Sequence, residues 1–205
     1  MNAKATLEKS IENIRLIVVT SASPGEGKTF TAFNLAMTIA NGRDTKALLV
    51  DGDLISRALS KLCELSDSPG LTDYLLGTQP ALDRVIVNTN VSGLQFIPAG
   101  SSHPDATELL ASEKMEYLAN DLANRYSDRL VVLDAPPLLA SMQSLLLASL
   151  AGQVLVVVEE GKTPRKAIKE AVSLLDDTAI VGIVLNRCRY GFNNPGYNYS
   201  YRAHS

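Results

Sequence analysis

Short, unbroken apolar runs rich in valine and isoleucine recur along this chain, and they narrow its fold more than any other feature. Leu16-Ile17-Val18-Val19, Ala47-Leu48-Leu49-Val50, Leu94 to Ile97, Leu130 to Leu133, Val154 to Val158 and Ile180 to Leu185 are four to six residues long, with hardly a polar residue inside them. A strand with one wet face alternates apolar and polar positions. An unbroken run buries both faces, as strands of parallel sheets do. Between the runs the apolar spacing turns helical. Ala32, Leu35, Ala36, Ile39 and Ala40 end at the stop signal Asn41-Gly42, and Ala167, Ile168, Ala171, Leu174 and Leu175 follow Pro164. Strands alternating with helices predict an α/β domain: a doubly wound, mainly parallel β-sheet flanked by helices. The 205 residues suit one such domain, with no internal repeat or interdomain linker.

Composition removes several function classes. Nineteen basic against 22 acidic side chains give a net charge of −3, no footprint for nucleic acid. Two cysteines without paired spacing, Cys63 and Cys188, make neither a disulfide scaffold nor a zinc ribbon and suit a reducing compartment. The opening MNAKATLEKSIENIR has no apolar core of a secretory signal. Ala135 to Val158 lacks charge, but Pro136-Pro137, Ser141, Gln143, Ser144 and Gln153 break it, so a loop, a helix and a buried strand are expected instead of a membrane span. Residues 190–205 hold no leucine, isoleucine or valine, yet carry Tyr190, Tyr197, Tyr199 and Tyr201. A domain over 1–189 and a flexible tyrosine-rich tail over 190–205 are expected.

Three motifs carry chemistry. Ala22-Ser23-Pro24-Gly25-Glu26-Gly27-Lys28-Thr29 lies between a strand and a helix. Glycines let backbone N–H groups converge on a phosphate chain, lysine neutralises β- and γ-oxygens, and the threonine hydroxyl reaches Mg²⁺. Pro24, Gly25, Glu26, Gly27, Lys28, Thr29 and Phe30 are therefore the expected nucleotide contacts, although Ala22 stands where the motif has glycine. Leu48-Leu49-Val50-Asp51-Gly52-Asp53 sets two carboxylates at a strand's C-terminal end, the edge where open α/β sheets bind ligands. Leu130-Val131-Val132-Leu133-Asp134-Ala135-Pro136-Pro137 is a strand ending in an acid of Walker B type.

The loop, the Asp-x-Asp strand end, the Asp-x-Pro-Pro strand end and the tyrosine-rich tail together resemble the bacterial tyrosine kinases of exopolysaccharide and capsule export, P-loop NTPases of the deviant Walker type. TFTAFNLAMTIA, LLVDGD, FIPAGSSHPDATELLAS, NRYSDRLVVLDAPPLL, GQVLVVVEEGKTP and VGIVLNR narrow the resemblance to the exosortase-associated tyrosine autokinases, over Ile14 to Arg187. The resemblance implies ATP/ADP and Mg²⁺ as cofactors, with Lys28, Asp51, Asp53 and Asp134 catalytic. It implies Thr29, Asp53 and Asp134 as metal ligands, Asp51 as the group activating the tyrosine hydroxyl, and Asn186 with Arg187 beside the adenine. Tyr190, Tyr197, Tyr199 and Tyr201 become phosphoacceptors, served in trans within a homo-oligomer. An inner-membrane polysaccharide chain-length determinant is the implied activator, so a cytoplasmic chain recruited to the membrane, without a span of its own, is expected. Four departures from the pattern stand out: Ser56 replaces a common arginine and Gln143 a common acid, the motif at Glu12 and Arg15 meets Val18 in its third place, and the tail carries only four tyrosines.

Two other readings compete. A switch ATPase of the septum-positioning or partition type shares the fold, but Ser23 stands where those proteins carry an extra lysine, and the tyrosine cluster has no role there. A non-catalytic interaction protein accommodates Ser56 and Gln143, yet leaves Lys28, Thr29 and the three acids without a purpose.

Overall fold

The computed structural model describes residues 13–125, 128–175 and 180–189. Strands β1 (Leu16–Ser21), β2 (Lys46–Asp51), β3 (Val87–Asn88), β4 (Leu94–Ile97), β5 (Arg129–Asp134), β6 (Gln153–Glu159) and β7 (Ile180–Asn186) form one sheet in the order β3-β4-β2-β5-β1-β6-β7. All pairings are parallel except β3 with β4. The helices are α1 (Lys28–Ala40), α2 (Ala58–Leu62), α3 (Leu71–Leu76), α4 (Ala106–Leu110), α5 (Glu113–Asn124), α6 (Met142–Ala148) and α7 (Arg165–Ser173).

Successive side chains of the apolar runs feed two cores. Ile17, Val19, Leu49 and Val132 join Ala32, Ala36 and Ala40 of α1 on one face. Leu16, Val18, Leu48, Val131, Val154 and Val156 join Met115, Leu118 and Leu122 of α5, Leu147 of α6 and Ala171 of α7 on the other. The alanine stripe lets α1 lie close to the sheet, which brings its N-terminus over the ends of the central strands.

One expectation needs correction. The run Ile180 to Leu185 is not buried on both faces: β7 is an edge strand, and Ile180, Ile183 and Leu185 are more than half exposed. The departure at Val18 stands: it is a fully buried residue of β1. Glu12 itself and the tail with Tyr190, Tyr197, Tyr199 and Tyr201 lie outside the described residues. The uncharged stretch from Ala135 divides into a turn, α6 and β6, and among the described residues no helix is long and apolar enough to cross a membrane.

Candidate nucleotide site

The site stands at the C-terminal ends of β1, β2 and β5. Parallel pairing places Asp51 opposite Asp134 and Val19 beside Asp134. Gly52 N–H donates to the Asp134 carbonyl at 2.8 Å, which turns the chain after β2 back over the acid on β5. The glycine-rich loop then runs from β1 into α1. Gly27 caps α1 with φ 98°, a left-handed conformation that side chains strain to adopt. A Cβ there would also lie 2.1 Å from Asn186 Nδ2, so both backbone and space require glycine.

Lys28 reaches from the first turn of α1 into the acids. Its Nζ lies 3.3 Å from Asp53 Oδ2, 3.6 Å from Asp134 Oδ1 and 3.4 Å from Thr29 Oγ1. Asp53 accepts a second bond from Ser56 N–H at 2.9 Å. Asp51 is engaged differently: its Oδ2 accepts both the N–H and the hydroxyl of Ser60, at 2.8 and 2.7 Å, and its Oδ1 accepts a long bond from Asp53 N–H. Burial is the largest influence on Asp51 and raises its pKa, against the opposing pull of the Ser60 bonds.

Asp134 is as deeply buried as Asp51 but lacks its hydrogen bonds. It is completely buried, and neither carboxylate oxygen accepts a hydrogen bond of ordinary geometry. Burial pushes its pKa up to about 6; Lys28 and the neighbouring Thr29 hydroxyl lower it, and Asp51 and Asp53 raise it. Two carboxylates, Asp53 and Asp134, share the one Lys28 ammonium, and Asp51 stands in register beside Asp134, so the cluster keeps an excess of negative charge that a divalent cation can offset. Thr29, Asp53 and Asp134 fit Mg²⁺ on that ground. Among the described residues no three His, Cys, Asp or Glu side chains form a closed metal cage, and Mg²⁺ commonly completes its shell with phosphate oxygens and water.

The remaining nucleotide candidates lie on the loop, at the start of α1 and at the end of β7. Pro24 and Gly25 form its exposed crest, and Phe30 projects from α1, 65% exposed. Glu26 is buried and turned back into the protein: Oε2 accepts Ser23 N–H at 2.8 Å and Oε1 accepts the Thr163 hydroxyl at 2.5 Å. Asn186 donates from Nδ2 to the Glu26 carbonyl at 2.9 Å, and Arg187 pairs with Glu159 at 2.9 Å. Arg187 lines a hollow of about 530 Å³ with Glu159, Glu160, Gly161, Lys162 and Arg189. Gln143 is fully buried in α6; its Nε2 donates to Thr107 Oγ1 while Oε1 has no partner. Sequence reasoning missed Ser60 and Thr163. Each meets its acid only through the fold, and no motif spacing connects positions as distant as Glu26 and Thr163.

Comparisons with known proteins give the family and the fold. An AAA domain family matches residues 14–178. EpsB of Ralstonia solanacearum, named a putative tyrosine-protein kinase, is 33% identical over 193 residues, which are 91% of this chain and 25% of EpsB. The chain thus spans about a quarter of the length of that relative and of several others. CpsD of Streptococcus pneumoniae serotype 4, a tyrosine-protein kinase, is 30% identical over 199 residues, 95% of this chain and 86% of CpsD. The kinase domain of Escherichia coli tyrosine kinase ETK superposes with a TM-score of 0.74 at 30% identity, over 95% of this chain and 75% of that one. The septum site-determining protein MinD of Pyrococcus horikoshii, complexed with Mg-ADP, shares the fold alone, with a TM-score of 0.68 and 22% identity over 83% of this chain and 69% of that one. With its glycine-rich loop closed over Lys28 and acids ending β2 and β5, the chain belongs to the AAA-domain P-loop NTPases and, among them, to the bacterial tyrosine kinases.

Proposed function

We propose that the chain is an ATP-dependent protein-tyrosine autokinase that phosphorylates Tyr190, Tyr197, Tyr199 and Tyr201 in trans within a homo-oligomer. The observation that carries the reading is Lys28 set between Asp53 and Asp134 beneath the curled loop, with Asp51 in register beside them. The loop N–H groups bind the phosphates, and Lys28 moves its ammonium from the carboxylates to the β- and γ-oxygens. Thr29, Asp53 and Asp134 would hold Mg²⁺, which when bound would supply charge neutralisation for the transfer. Ser60 gives Asp51 Oδ2 two hydrogen bonds while Oδ1 accepts one long bond from Asp53 N–H, so Oδ1 is the less engaged atom and the one that takes the tyrosine proton. Asn186 and Arg187, at the end of β7, lie beside the base.

The resemblance to export kinases supports a role in exopolysaccharide biosynthesis, with an inner-membrane chain-length determinant as activator that recruits the chain to the membrane. Each phosphotyrosine adds about 1.5 to 2 negative charges, so the modified tails repel one another and the oligomer dissociates. The test is incubation with Mg-ATP followed by intact mass and peptide fragmentation, with Lys28→Met and a chain ending at Arg189 as controls. Phosphate on the tail tyrosines of the wild type but not of Lys28→Met supports the autokinase. Hydrolysis of ATP with unmodified tyrosines, with and without a chain-length determinant, favours the switch ATPase whose fold MinD shares.

A further inference from the structure

An anion-binding loop that carries its own carboxylate has to confine that carboxylate, and here Glu26 Oε2 is spent on Ser23 N–H at the start of the loop, at 2.8 Å, away from the N–H groups nearer Lys28. Glu26 sits within the loop, four per cent exposed, between the left-handed Gly25 and Gly27. Left free, it competes with phosphate for the converging N–H donors. The fold restrains it from a distant segment. Thr163, in the turn between β6 and α7, donates its hydroxyl to Glu26 Oε1 and accepts Glu159 N–H at 2.8 Å, so its oxygen is used in both directions. Glu160 N–H donates to the Asn186 carbonyl at 3.0 Å, and the Asn186 amide returns to the Glu26 carbonyl at 2.9 Å. The phosphate loop, the β6–α7 turn and the end of β7 thereby close into one hydrogen-bonded ring.

We propose that Thr163 is a positioning residue for nucleotide binding, which fixes Glu26 in its turned-back rotamer and so preorganises the phosphate loop before nucleotide arrives. Preorganisation raises affinity because the ordering cost of the loop is met during folding. The inference rests on reading this loop as a nucleotide site.

The experiment titrates the full chain with fluorescent mant-ADP, and separately measures KM and kcat for ATP. Thr163→Val removes the hydroxyl at nearly constant shape. It weakens mant-ADP binding by about ten-fold or more, the effect of one lost hydrogen bond to a charged acceptor. The loss falls on KM for ATP more than on kcat, and Thr163→Ser restores it. Thermal unfolding without nucleotide checks that each variant is folded, and Thr163→Ala repeats the test if the valine variant is not. Wild-type affinity in Thr163→Val overturns the proposal, as does a serine variant as weak as the valine one or a loss confined to kcat. Absence of mant-ADP binding by the wild type removes the nucleotide reading, and this proposal with it. Wild-type binding with no change in Thr163→Val removes this proposal alone.

Discussion

Asp134→Asn should make the nucleotide-free protein more stable while removing its activity. Asp134 is completely buried without a hydrogen-bond acceptor role, and burial holds its pKa at about 6 against 3.8 for the free side chain. Between those values the folded chain keeps a proton that the unfolded chain has released, so stability falls as pH rises through the window. A gap of roughly two pKa units corresponds to about 3 kcal/mol of destabilisation at pH 7.5, and about half of that at pH 5. Asparagine removes the charge but puts an amide beside Lys28, which offsets part of the gain. The net expectation is about 1 to 3 kcal/mol at pH 7.5, or roughly 3 to 10 °C in Tm for a domain of this size. The chain has no tryptophan, so urea unfolding is followed by circular dichroism, in EDTA at pH 5 and 7.5. Mg-ADP should then stabilise the wild type and leave the variant nearly unchanged. A variant less stable than wild type at pH 7.5, or a gain equal at both pH values, refutes the argument that unmet charge at Asp134 is stored for a cation.

Other substitutions probe the remaining parts. Lys28→Met leaves two buried carboxylates without their ammonium; it should abolish tyrosine phosphate by intact mass and cost about 2 kcal/mol or more in urea unfolding. Gly27→Ala combines left-handed strain with a clash on Asn186, so nucleotide binding should be lost in a fluorescence titration. Adding Asn186→Ala removes the clash but not the strain, and affinity should stay below wild type. Ser60→Ala takes from Asp51 the hydroxyl bond, the largest of the influences that lower its pKa, and leaves the backbone one, so the acid that must be ionised is more often protonated. Its kcat should fall more at pH 6.5 than at pH 8.5, read from the pH profile of autophosphorylation.

Much of this was legible in the sequence because the signals were local. Valine- and isoleucine-rich runs placed β1, β2, β4, β5, β6 and β7, and the alanine stripe after Lys28 placed α1, since periodicity reports burial within one element. Val87–Asn88 gave no such signal: two residues of edge pairing against β4 are too short to show a period. The exposure of Ile183 and Leu185 was hidden for another reason, because being last in the sheet is a property of strand order. The acids at the ends of β2 and β5 were found by motif, but their different partners were not. Ser60 meets Asp51 through a helix too short to announce itself, and Thr163 meets Glu26 across most of the chain.

The pairing of Asp51 with Asp134 across β2 and β5 means that the spacing of these two acids is encoded by a hydrogen-bond ladder and not by a loop. A single-residue insertion in either strand would turn one carboxylate toward the wrong core, whereas the turns at the opposite edge, near Gly42 and Gly93, carry no such constraint. Evolution and engineering therefore have unequal freedom at the two ends of this sheet. Tags, reporter domains or new chain termini belong at the Gly42 and Gly93 end, where length can change while the acids keep their distance.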